Sequence, residues 1–225
     1  MSDLEQMAAA RRRAQMVARM RNLAQSGQRP ASAAPSTASK ERCDLCHTTV
    51  PDDHRHMLHL VDRRIVCTCE ACWALYSGEA EYRPTGMRTL WLEDFRCPEE
   101  TWASFQIPIG LAFFMRSTVT GSVVAFYPSP AGATESELSL DAWEALVADN
   151  PILEQLDSDA EALVANRLSQ PAQYAIIPID QCYGLVGLIK SRWEGISGGD
   201  AIQSAVPEFF AALRQRALSA PGIPS

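Results

Sequence analysis

The sequence predicts an α+β protein in which a small cysteine-rich metal module precedes a mixed α+β domain. Three observations carry this prediction. Five of the seven cysteines fall within thirty residues, as Cys43-x2-Cys46 and Cys67-x-Cys69-x2-Cys72. Past residue 84, apolar runs rich in β-formers alternate with segments of helical periodicity. Ahead of the first cysteine, an Ala/Arg/Met/Gln-rich stretch gives way to Ser, Ala, Pro and Gly, the pattern of a helical arm on a disordered linker.

The elements follow in order. Residues 1–24 read as a basic N-terminal helix and 25–41 as linker. In the module, 42–80, Cys43-Asp-Leu-Cys46 forms a knuckle. His54 to Leu60 alternates as a strand, Asp62-Arg63 turns, and Arg64 to Cys67 returns as a second strand. Ala71 to Tyr76 is a short helix stopped at Gly78. The α+β domain spans 84–217. Pro98 opens a helical turn, a position where proline is tolerated. Ile107–Met115 and Gly121–Tyr127 pair as a hairpin. Ser139 caps a helix that ends at Asn150-Pro151. Asp159–Arg167 reads equally as helix or buried strand, and Gln173–Pro178 as strand. Asp180 is expected to cap a helix reaching Trp193. A last helix follows Ser197-Gly-Gly and runs to about Gln215, with Pro207 expected to kink it or reset its start. Residues 218–225 read as a flexible tail.

Composition narrows the function. The chain has 225 residues, 47% hydrophobic and 21% charged, enough for one good-sized domain and a small one. No apolar run reaches the ~18–20 residues of a membrane helix, and residues 1–24 lack the apolar core of a secretory signal. The expected location is therefore cytoplasmic. An odd, sparse set of cysteines does not make a disulfide scaffold. In a reducing compartment such clusters are metal ligands or redox groups. The net charge of −7 is uneven: residues 1–40 carry +5, leaving −12 on the rest. That acidity argues against a nucleic-acid groove.

The cysteine spacing is the specific chemical signal. A pair two residues apart lets one tight turn aim both sulfurs at one ion, and two pairs complete a tetrahedral thiolate site. Zinc suits it, and so does iron as a rubredoxin-like or Fe-S centre. The second pair, Cys69-Glu-Ala-Cys72-Trp, reads as helical and lacks the proline and glycine that normally surround the second knuckle of a rubredoxin-type site.

All four histidines lie in the module. His54 and His56 share a strand face, and could form a second metal site, replace a cysteine, or handle protons. The plainer reading is hairpin surface, with hydrogen bonds that orient the knuckle; His59, on the opposite face, is expected at the surface. Cys97 and Cys182 are isolated and read as small buried side chains. No histidine follows His59, which removes a Cys-His or Ser-His-Asp unit from the second domain. Glu93-Asp94 and Glu99-Glu100 read as solvated or helix-start residues. Trp91, Trp102, Trp143 and Trp193 read as core or rim.

The order of knuckle, hairpin and cysteine pair at a helix start resembles the treble-clef class of zinc modules. That resemblance covers about 35 residues and implies Cys43, Cys46, Cys69 and Cys72 as ligands. Cys67 departs from it as a fifth cysteine. It could replace Cys69, sit behind the ligands, or belong to a cluster.

A second resemblance spans nearly everything past the linker. It rests on Arg-Cys-Asp-Leu-Cys at 42–46, His-Arg-His-Met-Leu-His-Leu at 54–60, Arg-Arg-Ile-Val-Cys-Thr-Cys-Glu-Ala-Cys-Trp at 63–73 and Ile-Pro-Ile-Asp-Gln-Cys-Tyr-Gly-Leu-Val-Gly-Leu-Ile at 177–189. The chain resembles a bacterial family associated with gene clusters of high-affinity, actinobacterial-type nickel–iron hydrogenases. The resemblance implies a context: an accessory protein for assembling, inserting cofactors into, or docking to the hydrogenase, whose partners would be hydrogenase subunits or another maturation factor. The residues themselves offer no catalytic constellation, so the reading leans away from an enzyme. The alternatives are an iron-containing electron-transfer protein at the same cysteines and a zinc-module regulator that binds nucleic acid.

Overall fold

A computed structural model describes residues 41–136, 138–192 and 199–219. The expected N-terminal helix, all of the linker but Glu41, Trp193 and residues 220–225 lie outside the described residues. Nine strands, five α-helices and one 3-10 turn are described, a mixed α+β architecture.

Two antiparallel sheets organise the chain. The smaller is built from β1 (Arg55–His59), β2 (Arg64–Thr68) and β3 (Tyr82–Pro84), in the order β2-β1-β3. Its hairpin register pairs His56 with Cys67 and Met57 with Val66. Helix α1 (Glu70–Tyr76) follows β2 directly, with Cys69 at its N-cap.

The larger sheet contains β4 (Leu90–Trp91), β5 (Leu111–Ser117), β6 (Ser122–Ser129), β7 (Gly132–Ser136), β8 (Glu161–Asn166) and β9 (Gln173–Pro178). Its order is β4-β9-β8-β5-β6-β7. The predicted hairpin is β5–β6, with Phe114 opposite Ala125, although 107–110 lie outside the strand. Gly121, at φ 66°, makes the turn that a side chain would strain.

Helices cover both faces of this sheet. On one face Leu111, Phe113, Met115, Val124, Phe126, Ala162, Val164, Ala175 and Ile177 meet α4 (Ile179–Ser191) and α5 (Gly199–Ser219). On the other, Ala112, Phe114, Val123, Ala125, Leu163, Ala165, Tyr174 and Ile176 meet α2 (Glu99–Ser104), α3 (Leu140–Asp149) and the 3-10 turn Pro151–Gln155. Alternate residues of each strand serve opposite layers, as the period of two requires. All six residues of β8 are buried. That removes the polar alternation that marks a half-buried strand, so the sequence left 159–167 undecided.

The cap at Ser139 is as expected: its hydroxyl accepts from Ala142 N. At the other end Asn150, nearly fully buried, explains the stop. Its Nδ2 donates to Leu146 O and Arg96 O, and its Oδ1 accepts from Arg96 N. Two expectations need correction. Pro178, not Asp180, is the N-cap of α4, because β9 runs straight into the helix and Asp180 falls inside the first turn. Pro207 does not reset the start of α5, which runs from Gly199 to Ser219 with the proline inside it; the expected tail is therefore still helical at 218–219.

The module and the larger sheet share a core. Leu58 of β1 is fully buried in the same cluster as Phe113 and Val186, with Leu60 and Ile65 packed against it. The connection from β3 to β4 pins the two sheets together. Gly86 N donates to Ala160 O at 2.8 Å, and Arg83 Nη2 bonds Asp157 Oδ1 at 2.7 Å. Arg88 grips the buried Glu161 through Nε at 2.6 Å and Nη2 at 2.8 Å. The described residues form one compact unit.

Candidate metal centre

The knuckle is shaped by its backbone. Cys43 N donates to Thr48 O and His47 N donates to Cys43 O, each at 2.8 Å. His47 takes φ 63°, which closes the turn. Arg42 and Thr49 form an isolated antiparallel bridge beneath it. The second cysteine pair comes from the β2–α1 junction. Cys69 lies at the helix cap, its sulfur 3.5 Å from Cys72 N.

These two segments bring Cys43, Cys46, Cys69 and Cys72 together, with all four sulfurs within 4.8 Å of one another. Cys46 Sγ and Cys69 Sγ are 3.6 Å apart. A tetrahedral zinc site with Zn–S arms of about 2.3 Å spaces its sulfurs about 3.8 Å apart. The four positions thus suit an ion of that geometry, and the thiol-only donor set suits a borderline-soft metal.

Local electrostatics already favour thiolate in the knuckle. The exposed Cys46 is lowered to about 6, first by its hydrogen bonds with Thr48. At Cys43 burial pushes the thiol up, but backbone donors at Cys69, Cys46 and Leu45 together bring it below its usual value. Cys72, buried and facing three other sulfurs, is pushed well up, burial being the larger cause. Thiols crowded like this cannot all ionise without a cation among them.

Cys67 lies outside the four. It joins His54 and His56 in a second group, with one donor atom of each within 4.8 Å of the others. Its thiol is raised to about 11, first by burial and then by the nearby Asp44 and Glu41. His54 and His56 meet edge to face at 4.6 Å between ring centres. His59 points elsewhere: it accepts from Asp62 N at 3.3 Å and packs on Tyr82.

The remaining candidates do not converge. Cys182 is buried and its thiol raised by that burial. Cys97 sits 3.6 Å from Arg167 Nη1. Glu99 pairs with Arg167, and Glu93 with Arg214. Trp102 and Trp143 are core residues, while Trp91 is partly buried against Phe210. The sequence missed Asp180 as a partner of the histidines: its Oδ2 lies 3.0 Å from His56 Nδ1. Nothing in the spacing of residues 124 positions apart signals that contact.

The fold and the sulfur cluster define a mixed α+β protein with a four-cysteine group able to hold a metal ion. The chain belongs to the family described as "Family of unknown function (DUF5947)", whose model matches residues 42–217. Searches of the curated proteins and of the solved structures found no match. Among the described residues, no helix is long and apolar enough to cross a membrane.

Proposed function

We propose that Cys43, Cys46, Cys69 and Cys72 hold a structural zinc ion, in a treble-clef-like module, and that the protein acts by docking to a protein partner. The observation that carries this reading is the poverty of the knuckle's own core. Its buried cluster is Cys43, Val50 and Cys72, with only Leu45 and Cys69 packed against it. Three of those five side chains are the cysteines themselves. A cluster this small cannot hold two chain segments by burial alone, and small modules use a metal as the staple. Four thiolates also leave no open position for water or substrate, which fits a structural ion.

The module's hairpin shares the main core, so an ordered knuckle is presented on a rigid body. That suits a docking surface. The partner we propose is a nickel–iron hydrogenase subunit or one of its maturation factors, on the family resemblance alone. Native mass spectrometry of the metal-loaded chain with purified hydrogenase subunits tests it. A complex that is lost on chelation is expected. Absence of a complex at micromolar concentrations would remove the hydrogenase assignment and leave the zinc reading untouched.

A further inference from the structure

The group formed by His54, His56 and Cys67 has a feature that a plain surface cluster lacks. Each imidazole has one nitrogen tied to an oxygen. His54 Nδ1 lies 2.9 Å from Pro51 O, and His56 Nδ1 lies 3.0 Å from Asp180 Oδ2. A carbonyl oxygen can only accept, so Nδ1 of His54 carries the proton and Nε2 of its neutral ring carries the lone pair. Histidines that bind metals are held in this way, with the far N–H given to a carbonyl or a carboxylate.

The Nε2 atom of His54 is buried without a hydrogen-bond partner, on a side chain only 4% exposed. The nearest carboxylate, on Glu41, is 3.6 Å away and beyond hydrogen-bond reach. A buried lone pair with no donor is destabilising unless something fills the place. The strand register sets His56 opposite Cys67, which brings the thiol to the two rings.

We propose that His54, His56 and Cys67 form a second metal site, distinct from the four-cysteine group, for a divalent transition cation of the zinc or cobalt type. Two imidazole nitrogens and one thiolate fill three positions of a tetrahedron. The fourth is left for water or an outside ligand, as in sites that do more than hold a fold. Asp180 acts as a positioning residue: it fixes the His56 ring and links the site to the first turn of α4. Binding of the ion releases the Cys67 thiol proton to solvent, and no electron moves.

Cobalt(II) titration of the full chain, stripped of metal and kept anaerobic, tests this. Cobalt in a four-thiolate site has a stronger sulfur-to-metal absorption than cobalt with one thiolate. Two equivalents per chain are expected for the wild type. His54→Gln and His56→Gln should each bind one, keeping the strong four-thiolate absorption, which also shows that the variant is folded. Asp180→Asn should weaken the second equivalent by about 10–100-fold without changing the first. Cys46→Ser should lose the strong absorption and keep the weaker one. A single equivalent in the wild type, or two in both histidine variants, would overturn the second site. Loss of one equivalent in the histidine variants, with Cys46→Ser unchanged, would instead uphold it and remove the four-cysteine reading.

Discussion

Asp44 and Cys67 exchange two hydrogen bonds across 23 residues. Asp44 N donates to Cys67 O at 2.9 Å, and Cys67 N donates to Asp44 Oδ2 at 2.7 Å. The knuckle is thereby stitched to β2, two residues before Cys69. One side chain holds the two sulfur pairs in register. Asp44→Ala should cost about 1 kcal/mol in stability, a modest amount for an exposed carboxylate. It should weaken metal retention by about tenfold or more, because groups behind the ligands set their geometry. Thermal unfolding and competition with a chelator measure the two effects. Asp44→Asn keeps an acceptor oxygen and should fall between.

The ion pair of Arg88 with Glu161 joins the two sheets at a buried point, the Glu161 side chain being 5% exposed. Removing only the cation strands a carboxylate in the interior. Arg88→Met should therefore cost about 3 kcal/mol or more. Arg88→Met combined with Glu161→Gln should recover part of that loss, and a double-mutant cycle in denaturant reads the coupling. Additive losses would show that the pair does not interact.

Gly86 lets the backbone approach Ala160 closely. An added Cβ would sit 2.7 Å from Glu161 Cγ and 3.1 Å from Ala160 O. Gly86→Ala should destabilise the chain by about 1–3 kcal/mol through overpacking. Equilibrium unfolding checks it, and an unchanged midpoint would mean that Glu161 moves aside freely.

Cysteine accessibility gives a direct view of the metal centre. Cys46 is exposed, while Cys43, Cys72 and Cys182 are buried. In chelator-treated protein an alkylating reagent should modify Cys46 first. In metal-loaded protein the same residue should be protected, because a coordinated thiolate is a poor nucleophile. Mass mapping of the alkylated sites checks this, and equal labelling in both states would contradict metal binding at Cys46.

Much of this architecture was legible. The knuckle, the hairpin and the helix after Cys69 follow from turn residues, alternation and spacing, and β9 matches the expected Gln173–Pro178. The sulfur cluster was legible for the same reason: paired spacing is a local property. The strands β3 and β4 were not, since two or three residues carry too little pattern, nor was β7, whose Gly-Ala-Thr-Glu-Ser shows no apolar alternation. Asp180 was misjudged because a carboxylate ahead of a helical run reads as a cap, whereas it lies inside the first turn and its contact to His56 is long-range. Cys67 needed the register of β1 on β2 to show which neighbours it has.

The zinc and iron content of anaerobically purified protein, wild type beside Cys46→Ser, with visible spectra of both, decides whether the four cysteines hold a structural zinc. A colourless wild type that contains zinc, with one zinc fewer per chain in the variant, is expected. Iron with visible absorbance in the wild type, or the same zinc content in both, would contradict a structural zinc at Cys43, Cys46, Cys69 and Cys72.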